Sequence, residues 1–119
     1  MISGVGVDVV HLPRFGASLE RTPSLRQRLF TTAELEGGYS VESLAGRFAA
    51  KEAFVKAMRA PAGMSWTDIE VVVNDRGAPS FRLSGTAEGR ATELGITGLH
   101  LSIAHDGDVA TAFVVAEEG

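Results

Sequence analysis

An α+β fold with a largely antiparallel sheet is what this sequence predicts, as one domain over residues 1–119. Three observations lead there. Val41 to Arg59 repeats its apolar residues at helical spacing and is the clearest helix. Two turn signals, Asp75-Arg76-Gly77 and Asp106-Gly107-Asp108, each join segments with strand character. The resulting order is strand, several helices, hairpin, helix, hairpin.

The elements follow in sequence. Ile2 to Val10 reads as a buried strand rich in Val and Ile, interrupted by Gly4 and Gly6 and carrying Asp8 inside it. Leu12 to Glu20 is a short helix. Thr22-Pro23 has the form of an N-cap and a first-turn proline, opening a helix to about Phe30. Thr31-Thr32-Ala33-Glu34 matches a capping box for another short helix, ended by Gly37-Gly38. In the long helix Leu44, Phe48, Val55 and Met58 form the apolar stripe, with Glu52 and Lys56 at i, i+4 on its edge. Arg59 to Ser65 is a loop. Trp66 to Asn74 and Pro79 to Leu83 are paired strands, Ser84 or Gly85 to Leu94 a helix closed by Gly95. Leu99, Leu101 and Ile103 alternate in a third strand, and Val109 to Ala116 is the last.

Composition sets outer bounds. A chain of 119 residues buries one modest core, and small enzymes often complete their sites by oligomerising. The absence of cysteine excludes disulfides, thiolate nucleophiles and zinc–thiolate centres, and fits a reducing cytosol. No signal-peptide pattern and no membrane-spanning apolar run is visible. The net charge of −4 speaks against nucleic acid as a partner. Its distribution is uneven: Arg14, Arg21, Arg26 and Arg28 fall in one segment with a single acid, Glu20. An acidic partner docking there is one explanation, a solvated helix face the other.

Three places invite chemistry. Asp8, a carboxylate inside an apolar strand, is costly unless paired or bound to a metal, although a strand-end aspartate can also cap a turn. Glu52 and Lys56 are either a surface ion pair or, with Asp8 nearby, a Mg²⁺ and phosphate site; Mg²⁺ takes oxygen ligands and needs few from protein. His105 ends a strand before a turn, where functional side chains and plain solvent-facing ones both occur. Gly4-Val5-Gly6 lacks the rest of either nucleotide-binding fingerprint. From residues alone, a Mg²⁺-dependent phosphohydrolase acting on a nucleotide diphosphate and a non-catalytic module for an acidic protein are both open.

The segment Gly4-Val5-Gly6-Val7-Asp8-Val9-Val10 followed by Arg14, and above all Leu44-Ala45-Gly46-Arg47-Phe48-Ala49-Ala50-Lys51-Glu52-Ala53-Phe54-Val55-Lys56-Ala57, resemble the holo-[acyl-carrier-protein] synthases. Trp66 to Val71, Gly77-Ala78-Pro79 and Leu101 to His105 are similar to that family's later blocks, in the same order. One departure is Arg59-Ala60-Pro61-Ala62-Gly63, where the family often shows Gly-Thr-Gly. The resemblance implies a cytoplasmic 4'-phosphopantetheinyl transferase of fatty acid biosynthesis or another carrier-dependent pathway. It would use coenzyme A and Mg²⁺, act on acyl carrier protein and form a homotrimer with clefts between subunits. It implies Asp8 and Glu52 as metal ligands, and Lys56 at the diphosphate. Arg47, Gly77, Pro79, Ser102 and His105 would line the cofactor cleft. The basic segment from Arg14 to Arg28 would receive the carrier. A metal-bound water, Glu52 or His105 remain open as the group that takes the serine proton.

Overall fold

The structure, a computed structural model, describes residues 1–119. The chain runs β1 (Ile2–His11), α1 (Leu12–Arg21), α2 (Leu25–Leu29), α3 (Thr32–Glu36), α4 (Val41–Ala57), a 3-10 turn (Trp66–Asp68), β2 (Ile69–Val73), β3 (Pro79–Leu83), α5 (Gly85–Glu93), β4 (Ile96–Asp106) and β5 (Val109–Glu118). The strands form two sheets, β1-β5-β4 and β2-β3, and every pairing is antiparallel. The α+β reading stands. No helix is long and apolar enough to cross a membrane.

Strand alternation gives the larger sheet two unlike faces. Across it, Gly6, Val114 and Leu101 stand in one row and Asp8, Ala112 and Ile103 in the next, on the face toward α4. The opposite face carries Val7, Phe113 and Ser102 in one row and Val9, Thr111 and Ala104 in another. The helix crosses the inner face on small residues. A side chain at Gly6 would collide with the backbone of Ala53, and one at Gly4 with that of Ala57, so these glycines exist for close helix–strand approach. At its other end α4 rests on β4, where a Cβ at Gly46 would lie 2.9 Å from His105 Nε2.

The helix is buried on nearly every side, because α1 and β2 cover the flank away from the sheet and Ala87 and Ala91 of α5 join Phe54 in one apolar cluster. Phe54 tilts against Phe81 at 5.3 Å, and Phe48 stacks on Phe15 at 5.6 Å. The expected apolar stripe is therefore one side of a helix that also buries Ala45, Arg47, Lys51 and Phe54. Ser40 Oγ caps the N-terminus, accepting from Ser43 N–H. A Schellman motif closes the helix two residues before the expected end. Ala60 N–H donates to Val55 O and Arg59 N–H to Lys56 O, with Arg59 at φ +46°, where glycine is usual.

Other boundaries differ from expectation as well: β4 begins at Ile96, ahead of Leu99, and β5 runs past Ala116 to Glu118. Thr22 closes α1, its N–H donating to Ser18 O, and α2 begins only at Leu25 behind Ser24, so Thr22 is not an N-cap. The strand expected from Trp66 starts at Ile69, because the 3-10 turn occupies the first three residues. The capping box at Thr31 and Glu34 is present as expected.

Candidate active site

Asp8 enters the site because β1 alternation turns it inward, at 9% exposure, under the C-terminal half of α4. Lys56 Nζ donates to Asp8 Oδ1 at 2.9 Å and to Val7 O at 3.1 Å, while the lysine side chain stays 56% exposed. Asp8 Oδ2 is buried with no hydrogen-bond partner, the only such side-chain atom in the chain. Glu52, one helical turn before Lys56, stands beside it. Burial pushes the Glu52 carboxyl up to about 8, the neighbouring Asp8 carboxylate adds to the rise, and Lys56 opposes it. Lys56 in turn is raised, first by its hydrogen bond to Asp8. Two crowded carboxylates that coexist only by holding a proton between them leave room for added positive charge.

A second group gathers at the other edge of the sheet. Ser43, Arg47, Val71, Val73, Gly77, Pro79, Ile103 and His105 line a cleft of about 230 Å³. It unites four of the expected cofactor residues: Arg47, Gly77, Pro79 and His105. His105 Nε2 lies 2.9 Å from Glu42 O, its ring seated over Gly46. Ser102 does not join them; it is exposed on the outer face beside Phe113. Nor do the two groups meet within one chain. Asp8 and Ile103 share a row with β5 between them, about 10 Å apart.

One cluster escaped the sequence reading. Glu34 is 2% exposed, accepts from three donors and lies beside a fourth, cationic group. Its Oε1 accepts from Lys51 Nζ at 2.6 Å and Thr31 N–H at 3.0 Å; its Oε2 accepts from Val71 N–H at 3.2 Å and lies 3.6 Å from Arg47 Nη1. Lys51, wholly buried, also donates to Leu29 O and Trp66 O. Burial lowers the Lys51 pKa, and Glu34 works against that shift. The one sequence signal was an arginine and a lysine amid the alanines of α4, at Arg47 and Lys51.

The basic segment lies on α1 and α2. Arg14, Arg21 and Arg28 are exposed and Arg26 is half-buried; none of the four forms an ion pair. Arg14 and Arg21 share a face with Ser18, which donates to Arg14 O and accepts from Arg21. His11 caps α1 by accepting from Arg14 N–H.

This sequence and fold match known proteins. The family model described as the 4'-phosphopantetheinyl transferase superfamily covers residues 4–114. The chain belongs to that superfamily. It is 59% identical to the holo-[acyl-carrier-protein] synthase of Micrococcus luteus, over 98% of this chain and 93% of that one. The holo-[acyl-carrier-protein] synthase structure from Neisseria meningitidis superimposes with a TM-score of 0.90 at 34% identity, covering 99% and 100% of the two chains. The structure of the Chronobacterium ammoniagenes ACPS–CoA complex does so with a TM-score of 0.87 at 35% identity, covering 98% and 97%.

Proposed function

We propose that this chain transfers the 4'-phosphopantetheine arm of coenzyme A to a serine of apo acyl carrier protein, releasing 3',5'-ADP. The observation that carries the chemistry is the close pair of carboxylates, Asp8 and Glu52, beside Lys56, with Asp8 Oδ2 buried and given no donor by Lys56. A phosphohydrolase would fit the acids, but the unpaired arginines of α1 and α2 favour an acidic protein as acceptor.

The two carboxylates fit a divalent cation, because both gain from positive charge at that point. Asp8 and Glu52 would hold Mg²⁺, which when bound supplies positive charge to the diphosphate. Lys56, exposed and raised in pKa, keeps its own charge for a phosphate oxygen. The serine oxygen forms a bond to the β-phosphorus as the bond to 3',5'-ADP breaks, and the serine proton must leave. Of Glu52 and His105, only Glu52 stands at this centre in the same chain. In-line positioning and charge do most of such a transfer.

The separation of the two groups supports a homotrimer in which one chain's Asp8 edge meets another's His105 edge. The outer sheet face supports it too: Val5, Val7, Val9 and Phe113 are 55%, 53%, 60% and 47% exposed in one apolar patch. Ser102 lies on this face and would reach a shared cleft. Sedimentation equilibrium tests the assembly; a fully active 12.5 kDa monomer at micromolar concentration rejects it. The lack of cysteine supports a cytoplasmic setting.

Incubation of the chain with apo carrier, coenzyme A and Mg²⁺, read by intact mass, tests the reaction. Transfer adds the phosphopantetheine mass to the carrier. Hydrolysis of coenzyme A with the carrier unmodified would assign a phosphohydrolase, and no change in either a binding module.

A further inference from the structure

Arg47 separates two hollows. On one side is the cleft of Gly77, Pro79 and His105; on the other is a hollow of about 200 Å³ bordered by Glu34, Tyr39, Glu70 and Arg82. The guanidinium is held in three ways. Nη1 donates to Val71 O at 2.5 Å and lies 3.6 Å from Glu34 Oε2, and the Tyr39 ring covers the guanidinium carbon at 4.0 Å. Tyr39 is 41% exposed, on the short link between α3 and α4. Its ring fills the space a Cβ on Gly37 would take, so the glycine gives the ring its seat.

The other end of Arg47 is unmet. The residue is only 5% exposed, yet Nε and Nη2 make no hydrogen bond within the chain and are not sealed from solvent. Those atoms carry three of the five guanidinium donors, in the fork geometry that suits phosphate. Arg47 is also the only permanently charged residue lining the β4-edge cleft. A buried cation with free donors is useful only if its orientation is fixed.

Resting on the transferase reading, we propose that Tyr39 and Glu34 are positioning residues for the nucleotide end of coenzyme A. They hold the Arg47 guanidinium from behind, so that Nε and Nη2 face an anionic oxygen in the cleft. Tyr39 supplies a cation–π contact and Glu34 the opposing charge.

The test is calorimetric titration with 3',5'-ADP and with adenosine, beside steady-state kinetics. Tyr39→Leu should weaken 3',5'-ADP about fivefold, the scale of one lost cation–π contact. Tyr39→Phe should restore it. Because Glu34→Gln alone leaves Lys51 buried without its counter-charge, the double variant Glu34→Gln/Lys51→Met is used; it should weaken 3',5'-ADP about tenfold. Adenosine affinity should stay level in all three, and KM for coenzyme A should rise far more than kcat falls. A merely structural role would lower Tm and weaken both ligands alike, or neither, and either result overturns the proposal. If the wild-type chain transfers the arm and Tyr39→Leu binds 3',5'-ADP normally, only the positioning role fails. If the wild-type chain neither binds 3',5'-ADP nor modifies the carrier, the transferase reading fails with it.

Discussion

Helix α4 carries two charge clusters, and they are built to opposite ends. Lys51 and Glu52 are neighbours in sequence but point into different surroundings. Lys51 meets Glu34 in a sealed group where each side chain is at most 1% exposed and each carboxylate oxygen has a donor. Glu52 meets Asp8 in a half-open group with two acids, one lysine and an oxygen left over. Completed pairing makes the first cluster a joint between α3, α4 and β2. Incomplete pairing makes the second a place for something else to bind. Degree of satisfaction, more than the presence of buried charge, separates an acid that holds other side chains in place from acids open to a ligand here.

This contrast can be broken experimentally. Asp8→Ala should show the largest effect. It removes the unmet acceptor and should lower transfer about a thousandfold or more, roughly 4 kcal/mol, with Tm held or raised. Near-normal turnover at saturating Mg²⁺ would return Asp8 to a structural role. Lys51→Met should do the reverse: a stability loss of about 3 kcal/mol, because the buried Glu34 loses its closest counter-charge. Adding Glu34→Gln should recover part of it in chemical denaturation. A single variant as stable as the parent would dissolve the contrast.

Arg14→Glu comes next. It should raise KM for the carrier about tenfold, or 1.4 kcal/mol, with KM for coenzyme A changed far less. Added NaCl should weaken the wild-type carrier interaction more than the variant's. Equal effects on both substrates would make α1 a solvated face.

The smallest effect concerns pH. Glu52 holds its proton to about 8 in the folded chain, against 4.5 for an ordinary glutamate. A raised carboxyl favours folding most below its unfolded pKa. Its contribution is then lost as pH rises through the folded value. Without metal, Tm should fall across that window by roughly 2–4 °C more than in Glu52→Gln. Saturating Mg²⁺ should flatten the fall. An identical slope in both proteins would show that Glu52 is not held protonated.

The open cluster was legible in the sequence; the sealed one was not. A carboxylate inside a Val-rich strand and an i, i+4 Glu–Lys pair are local patterns, and they survive any tertiary arrangement. The role of Lys51 depends on Glu34 seventeen positions away and on carbonyls at Leu29 and Trp66, none of which leaves a periodic mark. His105 shows the same limit. Its place beside a turn was clear, but strand order decides that it stands across the sheet from Asp8. Thr22 misled because cap chemistry suits either end of a short link, and here α1 runs on to Arg21.

The two-faced β1 strand has a consequence for how this chain tolerates change. Full randomisation of positions 4 to 10, scored for function, should give a period-two record. Positions 4 and 6 should accept almost nothing but glycine, since any Cβ would strike the α4 backbone. Positions 5, 7 and 9 report on what lies outside. If Val5, Val7 and Val9 can become Lys or Glu freely, water covers that face. If only apolar residues survive there, the strand is sandwiched, and the survivors at those three positions trace the outline of the surface that covers it.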